Sequence, residues 1–261
     1  MDPVSHDRLT SFFWHEDTIR SRSVSGLLLA GHVDVPAPPA RLLADWRREI
    51  RTRLFLEPGD VEQMPLARTR ARWPEFGLCL QAMRDWTHAL GLGNVLDDSD
   101  MALMACRGAR YHHDGGQYGG SAFCNLFLSD DKGLDVHFPG TGHRIPLRRG
   151  VAIVFDTCQP HAVIPRHASG FDEADFGEDG LGQADSDQPD VGQDEREIGR
   201  DLSQLFLTWE LPIVDPRVAQ ALGIAFDVAP AAALDLDEEQ VWADGVRAAV
   251  NPARGQWEPA A

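Results

Sequence analysis

Between Met101 and Pro212 the chain breaks into short apolar runs separated by turn residues, a spacing that leaves little room for helices. Met101 to Arg110, Tyr111 to Asp114, Ser121 to Leu128, Leu134 to Phe138, His143 to Leu147, Val151 to Phe155, His161 to Pro165 and Ser203 to Leu211 each have the length of a strand. Asp130-Asp131-Lys132-Gly133 and Pro139-Gly140-Thr141-Gly142 are turn sequences. About eight short strands with tight turns between most of them predict a double-sheet jelly roll.

Within this frame three residues stand out. His112 and Asp114 are one residue apart, so an extended strand places both side chains on the same face. His161 follows a later apolar run. Two imidazoles and a carboxylate can hold one face of a metal ion and leave its other positions open, the donor set of non-haem Fe(II) sites. Neutral imidazole and carboxylate are also available at neutral pH without a costly deprotonation. A register shifted by one residue would present His113 instead of His112 and turn Asp114 away. His137, His143 and His167 are further histidines, of which His137 lies in a strand and reads as a packing residue.

The order of these motifs resembles the Fe(II)/2-oxoglutarate-dependent dioxygenases, and among them the prolyl-hydroxylase-like members. The resemblance is carried by His112-x-Asp114, by Gly150-Val151-Ala152-Ile153-Val154-Phe155-Asp156 and by His161-x-Val163-x-Pro165, and it covers Met101 to Pro212. It implies a mainly β chain with flanking helices, folded as a double-stranded β-helix (jelly roll). It further implies Fe(II) held by His112, Asp114 and His161, with 2-oxoglutarate as cosubstrate and O2 as oxidant. Decarboxylation of 2-oxoglutarate to succinate would accompany hydroxylation of a small molecule or amino-acid derivative. The family's halogenases carry Gly or Ala at the position of Asp114, so the carboxylate here points to hydroxylation or a related oxidation.

The family also binds the cosubstrate's tail carboxylate with a cation, ideally a bidentate Arg, near the start of the last strand. Arg200 is the candidate and Arg166 the alternative, while Asn125 and Tyr111 are candidates for further cosubstrate contacts. The chain departs from the pattern here, because alignment on Trp209 puts Ser203 where the family has Arg. Two other readings stand beside this one. A cupin-like metal enzyme that does not use 2-oxoglutarate would need a His-x-His pair followed by Glu, which the sequence lacks. A non-catalytic jelly-roll binding protein is favoured by the displaced Arg.

The rest of the chain brackets this core. Residues 1–100 read as a helical N-terminal support region, 101–212 as the catalytic core with an acidic insertion at 168–201, and 213–261 as a C-terminal helical extension with a tail. Val24 to Val33 could be a strand. Helices are predicted from Pro38 or Pro39 to Leu54 and from Pro74 to Leu90, on apolar residues at helical spacing. Pro216 to Leu222 and Asp237 to Val250 are predicted to be helical as well. Arg68, Arg70 and Arg72 form a basic island that is either solvated and ion-paired or reaches the site mouth. The insertion is rich in Gly, Asp, Glu and Gln and cannot bury enough surface to fold alone. It is either an insertion without fixed structure or a lid ordered by substrate, and its acids suit a cationic substrate.

Net charge is −17, which argues against nucleic acid or an anionic membrane as partner. No stretch approaches the roughly 18 continuous apolar residues of a membrane span, and Met1 to Asp17 lacks the apolar core of a signal peptide. Cys79, Cys106, Cys124 and Cys158 form no Cys-x-x-Cys pair and each sits in an apolar run, as reduced buried thiols do. A cytoplasmic location is the expectation that follows.

Overall fold

A computed structural model describes residues 8–176, 201–230 and 239–260. Strands β1 (Leu9–His15), β2 (Thr18–Ser23) and β3 (Leu28–His32) precede helix α1 (Ala40–Glu49). After β4 (Val61–Met64) come α2 (Leu66–Arg72) and α3 (Phe76–Ala89). The strand-rich core then runs β5 (Asp100–Cys106), β6 (Ala109–His112), β7 (Ser121–Phe127), β8 (Leu134–Phe138), β9 (His143–Pro146), β10 (Val151–Asp156), β11 (His161–Pro165) and β12 (Gln204–Pro212). Helix α4 (Pro216–Leu222) leads to β13 (Gln240–Ala243), β14 (Val246–Val250) and β15 (Trp257–Pro259).

The core strands are dealt out between two antiparallel sheets. One has the order β3-β10-β7-β12-β5-β4 and the other β6-β11-β8-β9. From β5 to β12 the chain crosses repeatedly from one sheet to the other, which is the double-stranded β-helix, or jelly roll, expected from the strand spacing. The period of two along β12 shows how the layers are built. Leu205, Leu207, Trp209 and Leu211 face the helices, in one apolar cluster with Leu42 and Trp46 of α1 and Phe76, Cys79 and Met83 of α3. Phe206 faces the opposite way, into a second cluster between the sheets with Phe127, Phe138, Ile153, Phe155 and Val163. The helices therefore cover the outer face of the larger sheet, and the space between the sheets holds the second apolar cluster. The basic island is mostly structural, since Arg68 pairs with Glu49 and Arg72 with Asp45. Among the described residues no helix is long and apolar enough to cross a membrane.

Both ends of the chain depart from the helical reading. Residues 240–250, expected to be helical, form the β13–β14 hairpin. Its turn is Asp244-Gly245, both at positive φ (50° and 80°), the Asp-Gly pair that two-residue hairpin turns favour. Val241, Ala243 and Ala248 are buried at strand spacing, not helix spacing. Near the N-terminus β1 and β2 are strands, and β1 pairs with β13 from the opposite end of the chain. The support region is thus part helix and part a sheet, β15-β14-β13-β1-β2, shared with the C-terminal segment. The acidic insertion is anchored at its start. Phe176 is 1% exposed and its ring stacks on Phe171 at 5.5 Å, while Arg107 donates to the Phe176 carbonyl and Arg110 pairs with Glu173. Residues 177–200, the remainder of the insertion apart from Asp201, lie outside the described residues.

One ion pair joins the terminal sheet to the jelly roll. Arg22 of β2 and Asp156 at the end of β10 are both fully buried, with paired contacts of 2.7 and 2.8 Å. Burial would lower the Arg22 pKa, but the Asp156 carboxylate opposes it and the value is raised. Arg22 also donates to the Gly119 carbonyl at 2.7 Å, and Asp156 accepts from the backbone N–H groups of Ser25 and Cys158. Removing one partner leaves an uncompensated buried charge, so Arg22→Met or Asp156→Leu alone should cost about 3–5 kcal/mol. The double variant should recover most of that loss. Urea unfolding of the three variants checks this, and a double variant as unstable as the sum of the singles would contradict it.

Candidate metal centre

The smaller sheet brings the two ligand histidines face to face. β6 ends at His112 and β11 begins at His161, and the two residues are direct cross-strand partners. Their rings lie 4.4 Å apart, centroid to centroid. Asp114 reaches the same point from the bend just after β6, where its backbone N–H donates to the Thr157 carbonyl at 2.8 Å. One carboxylate oxygen is 3.7 Å from His112 Nε2 and the other 3.6 Å from His161 Nε2. The ligand atoms of the three residues all lie within 4.8 Å of one another.

Backbone carbonyls set the protonation of both rings. His112 Nδ1 lies 2.7 Å from the Arg110 carbonyl and His161 Nδ1 lies 3.0 Å from that of Gln159. A carbonyl only accepts, so each Nδ1 carries the proton and each Nε2 presents its lone pair to the centre. Burial and the neighbouring His112 lower the His161 pKa to about 3. Burial raises the pKa of Asp114, while His112 and His113 oppose that rise. Such a cluster suits a divalent cation, which would supply the charge that the carboxylate lacks.

The same turn excludes His113. Its Nδ1 accepts from the Gly115 N–H at 3.1 Å, and its ring lies 4.6 Å from that of Trp257. Burial drives its pKa down to about 4. Gly115 itself cannot be larger, because a Cβ there would stand 2.2 Å from Cys158 Sγ. The turn carrying Asp114 therefore lies directly against the loop that delivers His161.

The other sequence candidates are divided between the two faces. Asn125 on β7 pairs in register with Thr208 and Ile153, on the inner side, and is 7% exposed with Oδ1 lacking a partner. Tyr111 points to the opposite side of its strand from His112, where its hydroxyl meets His137 Nδ1 at 2.7 Å. It clusters there with Ala162 and Ile164, so strand parity separates it from the centre. Arg166 is likewise committed outside, donating to Asp135 at 2.8 Å and to Asp131 at 3.0 Å. Arg200 lies outside the described residues.

Sequence reading missed Gln204, Thr208 and Glu210, the polar half of β12 that shares a face with Phe206. Gln204 is fully buried with neither amide atom paired. Phe206, Thr208 and Glu210 stay half-buried although β12 is an inner strand of its sheet, so the inner face of that sheet is incompletely covered along β12. The alternation of Gln204, Phe206, Thr208 and Glu210 with larger aliphatics was the available signal.

A double-stranded β-helix carrying a two-His, one-carboxylate face at the open end of its inter-sheet space defines the class of this site. No family model matches the chain and no curated protein does. Among solved structures it is similar to a Pseudomonas putida prolyl-4-hydroxylase, at 17% identity and TM-score 0.38 over 71% of this chain and 92% of that one. It is also similar to the viral collagen prolyl hydroxylase of Paramecium Bursaria Chlorella virus-1, at 9% identity and TM-score 0.38 over 70% and 88%. A third likeness is to EvdO2 from Micromonospora carbonacea var. aurantiaca, at 13% identity and TM-score 0.36 over 74% and 91%. The functional reading rests on the geometry of the site itself.

Titration with Co(II), followed by visible absorption, should show one site per chain. His112→Ala, Asp114→Ala and His161→Ala should each weaken it by more than the about 10–100-fold typical of losing an outer-shell partner. His137→Ala, on the outer face, should leave the affinity unchanged. The metal-free protein should also lose stability in acid. The unfolded chain takes up protons at His113 and His161 near pH 6.5, whereas the folded protein refuses them until about 4 and 3. Their contribution is complete above pH 6.5 and is lost as the pH falls toward 3. Melting temperatures at pH 7.5 and 5 check the sign, and a His113→Phe variant should flatten part of the slope.

Proposed function

We propose that this chain is an Fe(II)/2-oxoglutarate-dependent oxygenase of the hydroxylase type, acting on a small molecule. The observation that carries this reading is the convergence of two Nε2 lone pairs and the Asp114 carboxylate, with both Nδ1 atoms tied to carbonyls. His112, Asp114 and His161 would hold the metal and contribute a net charge of about −1, leaving its other positions open. When bound, Fe(II) together with 2-oxoglutarate and O2 supplies the oxidising power, and 2-oxoglutarate ends as succinate and CO2.

The residues present fit an oxygen-rich cosubstrate. Asn125 and Gln204 are buried carboxamides with unpaired atoms on the inner face, the kind of orphaned groups that a bound ligand satisfies. The unpaired Gln204 amide N–H would donate to a carboxylate of the cosubstrate, whereas the orphaned Asn125 Oδ1 is an acceptor and would need a donor from the bound molecule. Arg200 remains the proposed counter-charge, and Arg166 is already occupied on the outer face. Phe123, Phe138 and Phe155 line the space around His161 and would keep water from the reacting atoms. The substrate reading extends to a cationic compound, supported by the acidic residues Asp172, Glu173 and Asp175 at the start of the insertion, beside the strand that carries His112.

Succinate formation from 2-oxoglutarate, dependent on Fe(II) and O2, tests this function, and its absence in the presence of bound metal would overturn it. Asp114→Ala should abolish the reaction. Arg200→Ala should raise the KM for 2-oxoglutarate by about tenfold or more, the worth of one charge-assisted hydrogen bond. Arg166→Ala should leave that KM unchanged, and the reverse pattern would move the counter-charge to Arg166.

A further inference from the structure

Among the described residues Glu210 is a carboxylate without a counter-ion, two aromatic rings removed from His161. It lies on the inner face of β12, in register with Phe123 of β7. The Phe123 ring lies 6.0 Å from that of Phe155, which in turn meets the His161 ring at 5.0 Å. On its other side Phe123 meets Tyr118 at 5.1 Å, in the loop that follows Asp114. Burial raises the Tyr118 pKa, and the carboxylates of Glu210 and then Asp114 raise it further.

Among the described residues the Glu210 carboxylate makes no hydrogen bond or ion pair. Other sequestered carboxylates here do, as Asp156 does with Arg22, Asp135 with Arg166 and Glu49 with Arg68. Its cross-strand neighbour on the other side is Asp100, a like charge that destabilises the pair. Burial, and then Asp100, raise the Glu210 pKa. A second unpaired acceptor lies on the same face of the sheet, in the residue paired with Thr208: Asn125 Oδ1, in a residue 7% exposed.

We propose that Glu210, walled by the half-exposed rings of Tyr118 and Phe123 and backed by Asn125 Oδ1, is the subsite that receives an ammonium or guanidinium group of the substrate. A cation there gains a charge-assisted hydrogen bond and the electron-rich faces of two rings, and it relieves the repulsion between Glu210 and Asp100. A neutral or anionic group gains none of these, so the subsite discriminates by charge. The inference rests on the oxygenase reading only for what happens to the bound molecule, since the subsite itself is built without the metal.

The test is calorimetric titration of the full chain, metal-free and Co(II)-loaded, with L-lysine and L-arginine against their neutral counterparts L-norleucine and L-citrulline. The cations should bind about tenfold or more tightly than the neutral compounds, as expected for one charge-assisted hydrogen bond. Glu210→Gln should erase that difference without changing the affinity of the neutral compounds or of Co(II), and Glu210→Asp should retain part of it. Equal affinity for charged and neutral probes in the unaltered chain, or discrimination that survives in Glu210→Gln, would overturn the subsite. Charge discrimination in a protein that takes up no Co(II) at His112, Asp114 and His161 would support the subsite while removing the oxygenase reading. Normal Co(II) uptake without discrimination would remove the subsite alone.

Discussion

The buried pair of Arg22 and Asp156 is the contact on which the site's framework depends. Two charges with no exposure to water are expensive to bury, and only close pairing with further hydrogen bonds makes the arrangement stable. Those further bonds run to three separate pieces of chain. Arg22 reaches Gly119 in the loop after Asp114, and Asp156 holds the N–H groups of Ser25 and Cys158. Cys158 belongs to the short link between β10 and β11, and β11 starts with His161. The pair therefore ties the loop that supplies one metal-binding residue to the link that supplies another.

Close backbone approach completes that arrangement. Gly115 lets the Asp114 turn lie against Cys158, and the Asp114 N–H bonds to Thr157 in the same link. With the backbone so placed, two carbonyls orient the histidine rings and fix their tautomers. The metal residues are thus held by main chain and by packing before any ion binds, which lowers the ordering cost of binding one.

The inner face of the larger sheet owes its character to the alternation of β12. One side of that strand is committed to the helical layer through Leu205, Leu207, Trp209 and Leu211. On the other side Phe206 joins the apolar cluster between the sheets, while an amide, a hydroxyl and a carboxylate flank it and do not fill that space as an aliphatic core would. Asn125 continues this polar strip on β7. A jelly roll built only for stability would gain by replacing these groups with apolar ones, because buried polar groups without partners cost free energy. Their presence on one face, next to the histidines, marks that face as a place for a ligand.

Strand-length apolar runs, turn residues and the spacing of His112, Asp114 and His161 were enough to read the jelly roll and to single out a candidate metal face from sequence, because period and local turn chemistry are properties of neighbouring residues. Helices α1 and α3 were legible for the same reason, through apolar residues at helical spacing. The terminal sheet was not, since β1 pairs with β13 from the far end of the chain and no local pattern encodes such a partner. The Asp244-Gly245 turn was a local signal, but the apolar residues around it suit a helix or a hairpin until the partner strand is known. Strand parity alone could have placed Tyr111 opposite His112, whereas the ion pairs that occupy Arg166 are contacts that only folding creates. The sequence by itself determined which residues could bind a metal. The tertiary structure decided which way each one points, because orientation is set by register, by carbonyls from neighbouring segments and by a buried ion pair whose partners lie 134 residues apart.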